Sequence, residues 1–255
     1  EVKKYENDVF KKPDDIHGVD LNIKDQETLL NEFTPYINDF KLNNKKGSKS
    51  RYYTQNGFFT ASDAFFLACI MRKYKPNQII EVGSGFSSAL MLDVNEIFFN
   101  KEINLTFIEP NPERLYSLID EDRAPCEIIT KNVQEVDIEI FKALEDNDVL
   151  FIDSSHISKV GSDVNHILFN IIPVLKKGVL IHFHDITYPF EYPKEWIYQG
   201  YFWNEAYLLK AFLMYNEQFD IRLFVNYLYH FRNSWFKKHI SDYNIEGGSI
   251  WLAKK

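Results

Sequence analysis

The chain alternates short apolar runs with longer stretches whose apolar positions recur every three or four residues. The runs "QIIEV" at 78–82, "LTFIE" at 105–109, "EIIT" at 127–130, "VLFID" at 149–153 and "GVLIHFH" at 178–184 read as strands, with a further one at 220–225 ("DIRLFV"). Most segments between them suit helices. "SDVNHILFNIIPVLKKG" sets Val164, Ile167, Leu168, Ile171, Ile172 and Leu175 on one face. Ser162 is placed to cap its start and Lys176, Lys177 and Gly178 suit its end, while Pro173 is expected to loosen the last turn. "AFFLACIM", residues 64–71, is too short to span a bilayer and reads as a buried helix.

Strands and helices alternating at this spacing predict an α/β fold, a doubly wound parallel sheet covered on both faces. Ligands of such sheets sit beyond the carboxyl ends of the strands. Those ends carry Glu81, Glu109, Asp153 and the pair His184–Asp185. Residues 1–50 are polar, with an exposed connector expected at 41–50; residues 1–55 are expected to form a helical or irregular cap and residues 56–255 the main domain.

Composition narrows the function. Of 255 residues 45% are hydrophobic and 26% charged, the profile of a globular protein in water. A formal charge of −8 argues against general affinity for nucleic acid or anionic membranes. The two cysteines, Cys69 and Cys126, make neither a disulfide framework nor a thiolate zinc site. With no secretory pattern in the opening "EVKKYENDVF", a cytoplasmic protein is expected.

The turn "EVGSGFSS" after the first strand poses the chemical question. A phosphate-binding loop would need G-x-x-x-x-G-K-[ST], which is absent. A dinucleotide fingerprint would need a third glycine where Ser88 stands, and Glu81 would repel a pyrophosphate. S-adenosylmethionine carries an ammonium and a sulfonium, so a carboxylate beside the turn favours it. Glu109, closing the next strand, is placed to accept hydrogen bonds from two ribose hydroxyls.

With "EVGSG", "FIEPNPERL", "VLFIDSSH" and "GVLIHFHDI" in this order, residues 56–255 resemble the class I S-adenosylmethionine-dependent methyltransferases. The resemblance implies a mostly parallel, seven-stranded Rossmann-like sheet in which "GGSIWLAKK" pairs with 220–225 as a final antiparallel strand. It also implies that Glu81, Gly83, Ser84 and Gly85 lie along the methionine part of the cofactor. Glu109 would take the ribose, Asn132 and Val133 would lie near the adenine, and Asp153 would line the cofactor.

A hydroxyl is a poor nucleophile while protonated, so the acceptor side needs a base, a metal ion, or both. "IDSSH" puts His156 three residues after Asp153, and "HFHD" ends the adjacent strand. This pattern is similar to metal-dependent sugar O-methyltransferases, which implies a Mg or Mn ion on Asp153 and Asp185 and His156 as the base. The family has Glu where this chain has His184; His184 is kept as a third candidate ligand and His182 as a second candidate catalytic histidine. Either of these two histidines also suits simple packing under a helix.

After Asp185 comes "YPFEYPKEWIYQGYFW", with eight aromatics in the sixteen residues 188–203, inside an insertion at 186–203. Tyr188, Tyr192 and Trp196 are the candidates for stacking on a carbohydrate acceptor; the competing reading is a hydrophobic clasp or a homodimer surface. Arg232, Lys237 and Lys238 suit either a substrate phosphate or a solvated basic face. The combined expectation is a methyl transfer to a carbohydrate hydroxyl. Its rivals are metal-independent small-molecule O- or N-methylation, an NAD-linked oxidoreductase, and a noncatalytic cofactor-binding module.

Overall fold

The computed structural model describes residues 2–47, 50–119, 125–243 and 245–255; Ser48 and Lys49 of the expected connector lie outside the described residues. Seven strands form one sheet: β1 (Gln78–Val82), β2 (Asn104–Ile108), β3 (Glu127–Ile129), β4 (Val149–Ile152), β5 (Leu180–Phe183), β6 (Phe219–Phe224) and β7 (Ile250–Lys254). Their order is β3-β2-β1-β4-β5-β7-β6. The first five pair in parallel, and β7 runs antiparallel between β5 and β6. The doubly wound sheet and its last antiparallel strand are as expected.

The near-continuous apolar runs follow from this layering, because β4 and β5 are buried at every position under helices on both faces. Strand order reverses at β1, whose neighbours are β2 on one side and β4 on the other. The chain therefore leaves β1 and β4 toward opposite faces, and a crevice opens beyond their carboxyl ends. Val82 pairs with both Ile108 and Ile152, so the residues that follow all three strands meet at one level.

One helix precedes β1 and another follows it. Thr60 caps Ala61–Tyr74 by accepting from the Asp63 N–H at 3.2 Å, and Ser62 to Met71 are all buried, as "AFFLACIM" predicted. Phe86–Phe98 starts at Gly85, directly after the β1 turn. The segment expected as one helix from Ser162 winds regularly only over Asp163–His166, passes through a π-helical stretch at Ile167–Ile171 and ends at Ile172–Val174. All six predicted core positions are buried, and Ser162 accepts from the Asn165 N–H at 3.2 Å. Pro173 has no N–H to donate back into the preceding turns, which accounts for the loosened winding.

The N-terminal segment contributes the helix Ile23–Glu32, which covers the sheet edge at β6. Gln26 is fully buried there; its side-chain oxygen accepts from the Phe224 N–H at 2.7 Å, satisfying an edge donor. Among the described residues no helix is long and apolar enough to cross a membrane.

Candidate active site

The β1 turn is built by close contact between strand ends. Gly83 has φ +85°, and a Cβ on it would lie 1.8 Å from the Asp153 carbonyl oxygen. The Asp153 N–H donates to Val82 O at 2.8 Å and the Gly83 N–H to Ile108 O at 3.0 Å, so three strand ends are tied together at this glycine. Only a residue without a side chain fits.

Glu81 does not reach the ligand side of the turn. It is fully buried, and its two oxygens accept from the hydroxyls of Ser87 and Ser88. Ser88 Oγ also accepts from the Gly85 N–H at 2.9 Å, so the carboxylate braces the turn through a serine. The expected direct pairing with a ligand ammonium is therefore not what this side chain does here. Burial, only partly opposed by the two serine hydrogen bonds, pushes its carboxyl up to about 8.

This raised value has a consequence for stability. The folded state binds the Glu81 proton more tightly than the unfolded chain, whose carboxyl titrates near 4.5. The associated stability is fully present below that pH and is lost as pH rises toward 8, by up to about 4 kcal/mol. Glu81→Gln is expected to flatten this fall in urea melts between pH 5 and pH 8; identical slopes in both proteins would show that Glu81 ionises freely.

Beyond the turn lies a cavity of about 430 Å³ at the carboxyl ends of β1, β2 and β4, a volume suited to a small ligand. Five of the expected cofactor residues line it: Gly83, Glu109, Asn132, Val133 and Asp153. Glu109 is held by the Ser84 N–H at 3.2 Å and the Asn111 N–H at 2.8 Å. Asn132 donates through its backbone and its side chain to Glu135, at 3.1 and 2.9 Å, which sets the short turn Val133–Glu135 at the rim. Ser84 and Gly85 belong to the turn, not to the cavity wall.

A second cluster stands where β4 and β5 end. His156 Nε2 is 3.4 Å from Asp153 Oδ1 and 3.5 Å from Asp185 Oδ2, while its Nδ1 is 2.9 Å from Glu205 Oε2. One donor atom from each of Asp153, His156 and Asp185 falls within 4.8 Å of the others. His156 and Asp185 both take left-handed backbone conformations, φ +59° and +55°, which are uncommon outside glycine and concentrate at functional sites. The loop that carries His156 after β4 is pinned: the Ser155 N–H and hydroxyl donate to Asp163 at 2.7 and 2.6 Å, and the Asn204 and Glu205 N–H groups donate to His156 O at 3.0 and 3.2 Å.

The charges in this cluster are unequal. Burial disfavours the His156 cation, but contacts with Asp153 and Glu205 over-compensate and raise it well above the ordinary imidazole value. Burial likewise opposes the Asp153 carboxylate, yet His184 and His156 hold it below its usual range. Burial pushes the Asp185 carboxyl up; His184 and His156 oppose that shift only in part, and Asp153 adds to it. Three carboxyl groups thus surround one imidazole, an excess of negative charge suited to a divalent cation. The 3.4 and 3.5 Å separations exceed good N–H···O bonds of about 2.7–3.2 Å, so neither aspartate holds Nε2 tightly.

The structure corrects four further expectations. His182 is fully buried, stacked on Phe151 at 3.8 Å and packed against Trp251 at 4.6 Å, with neither ring nitrogen hydrogen-bonded; burial drives it well below the ordinary value, so it is a neutral core residue without access to the site. His184 is buried against Phe59, its Nε2 3.6 Å from Asp185, and falls outside the metal-capable trio, in which His156 stands instead. Tyr188 packs under Phe224, Tyr227 and Phe231 and donates its hydroxyl to Pro13 O at 2.6 Å. Tyr192 is equally buried, its hydroxyl accepting from the Ala206 N–H at 3.0 Å. These two tyrosines clasp the insertion to the body; Trp196 remains half-buried beside Trp203.

Two residues escaped the sequence reading. Glu205 lies 49 positions from His156 with no motif around it, and Trp203, whose ring centroid is 4.4 Å from that of His156, is one aromatic among many. Arg232 pairs with Glu27, a structural contact.

A sheet of this order, with a glycine turn after β1 and an acid closing β2, defines the class I methyltransferase fold. Residues 80–186 match the family described as a methyltransferase domain. An uncharacterized protein of Archaeoglobus fulgidus is 34% identical over 151 residues, covering 58% of this chain and 68% of that protein. Among solved structures, the O-methyltransferase TomG of Streptomyces achromogenes, involved in tomaymycin synthesis and solved with S-adenosylmethionine, is similar with a TM-score of 0.54 at 11% identity, over 90% of this chain and 98% of that one. The Podospora anserina methyltransferase PaMTH1, solved with S-adenosylhomocysteine, gives 0.48 at 13% identity, over 92% and 93%. The matched residues form a methyltransferase domain, and the sheet has the class I fold of the S-adenosylmethionine-dependent enzymes.

Proposed function

We propose that this methyltransferase acts on a hydroxyl oxygen, that the acceptor is a carbohydrate, and that a divalent ion assists. The observation that carries this reading is the trio Asp153, His156 and Asp185 beside the cavity. S-adenosylmethionine supplies an electrophilic methyl group on a sulfonium. The cavity residues Glu109, Asn132 and Val133 would hold its nucleoside, and Asp153 presents negative charge toward its cationic end.

On the acceptor side, Asp153 and Asp185 would hold the ion, which lowers the pKa of a nearby hydroxyl. His156 holds a proton while only carboxylates surround it. Positive charge between Asp153 and Asp185 opposes that proton and leaves Nε2 free to accept one from the acceptor hydroxyl. Trp203 packs on His156, and Tyr198, Tyr201 and Phe202 extend an exposed aromatic surface along the insertion. Aromatic faces of this kind suit the C–H faces of a sugar ring.

The test is transfer of a labelled methyl group to a panel of sugars, nucleotide-linked sugars, phenols and amines, with the product located by mass spectrometry. An O-methylated sugar is the expected product. Methylation of amines or phenols alone would overturn the carbohydrate assignment.

A further inference from the structure

We infer that Glu205 is a positioning residue for His156: it holds the Nδ1 proton and thereby keeps Nε2 as the proton-accepting atom facing Asp153 and Asp185. The inference rests on the reading of His156 as the base. Glu205 is 1% exposed, and a carboxylate so placed needs partners. It has two: Oε2 lies 2.9 Å from His156 Nδ1, and Oε1 accepts from Ser154 Oγ at 2.9 Å. Ser154 Oγ in turn accepts from the His156 N–H at 3.1 Å, so carboxylate, hydroxyl and imidazole form a closed set.

The backbone fixes the same geometry a second time. Glu205 opens the helix Glu205–Leu213, and the N–H groups of Asn204 and Glu205 both donate to His156 O. Asn204 Oδ1 accepts from the Ser158 N–H at 2.6 Å. His156, with its left-handed backbone, is thus gripped at its main-chain carbonyl and its Nδ1, and only Nε2 is left for chemistry. With Nδ1 protonated and facing a carboxylate, the neutral ring has its lone pair on Nε2, as orientation by a buried acid requires. Because this helix directly follows the aromatic insertion, the aromatic segment and the base are delivered as one unit.

The experiment compares Glu205→Gln and Glu205→Ala with wild type and His156→Ala, using Mg²⁺ and the best acceptor of the panel. Glu205→Ala is expected to lower kcat about 10–10³-fold with little change in acceptor KM or S-adenosylhomocysteine affinity. Glu205→Gln keeps an acceptor oxygen for Nδ1–H but no charge, so its loss should be smaller. Thermal melts establish folding, and the isosteric Gln variant carries the test if Ala does not fold. Nitrogen-15 spectra of the His156 ring with Mg²⁺ bound give a readout independent of turnover: only Nδ1 protonated in wild type and a tautomer mixture in Glu205→Ala. Wild-type kcat in both Glu205 variants, with His156→Ala inactive, would overturn the role of Glu205 and leave the base assignment standing. If His156→Ala itself keeps full turnover, the base assignment falls and takes this inference with it.

Discussion

Gly83→Ala is expected to abolish measurable S-adenosylhomocysteine binding in calorimetry at concentrations that saturate the wild type. An added Cβ would lie 1.8 Å from the Asp153 carbonyl oxygen, a backbone atom that cannot swing aside. The ends of β1 and β4 must separate, which breaks the Asp153–Val82 hydrogen bond and moves Asp153 with it. Overpacking and the left-handed backbone together should also cost about 2–4 kcal/mol of stability. Gly200→Ala is the control: it has φ +92° but nothing within 4 Å of the added carbon, so it carries strain without a clash. That variant should lose about 1–2 kcal/mol and bind normally. Normal binding by Gly83→Ala would mean the cofactor does not depend on the junction of β1 and β4.

His156→Ala is expected to lower the rate at saturating acceptor by about 10²–10⁴-fold, the usual worth of a positioned base. Cofactor affinity should hardly change, because the His156 side chain stands outside the cavity wall that carries Glu109, Asn132 and Val133. Binding of Mn²⁺ separates two roles of the same nitrogen. If Asp153 and Asp185 carry the ion and His156 the proton, Mn²⁺ affinity survives the substitution; if Nε2 is a ligand, affinity and rate fall together. Turnover near the wild-type level would place the base elsewhere.

What the sequence made legible was what parallel-sheet geometry gathers. Acids at strand ends converge whatever the loops do, so Glu109, Asp153 and Asp185 could be placed from their positions after apolar runs. Gly83 was legible because a turn between two abutting strands tolerates no side chain. What a side chain faces was not. Strand alternation correctly puts His182 and His184 on one face, but whether that face meets cavity or core depends on Phe151 and Trp251, which come from other strands. Tyr188, Tyr192 and Trp203 look alike in a run of aromatics, and packing against β6 and its following helix decides which become core. Glu81 was legible as an acid beside a turn, but not as one whose two oxygens are occupied by Ser87 and Ser88.

The central claim is that Asp153 and Asp185 bring a divalent ion to the acceptor hydroxyl beside His156. Its most direct test is labelled methyl transfer to the best acceptor before and after chelation, with S-adenosylhomocysteine binding followed by calorimetry on the same samples. The account predicts that chelation abolishes transfer, that added Mg²⁺ or Mn²⁺ restores it, and that S-adenosylhomocysteine affinity stays within about threefold, well under 1.4 kcal/mol. Full transfer by the metal-free protein would contradict it.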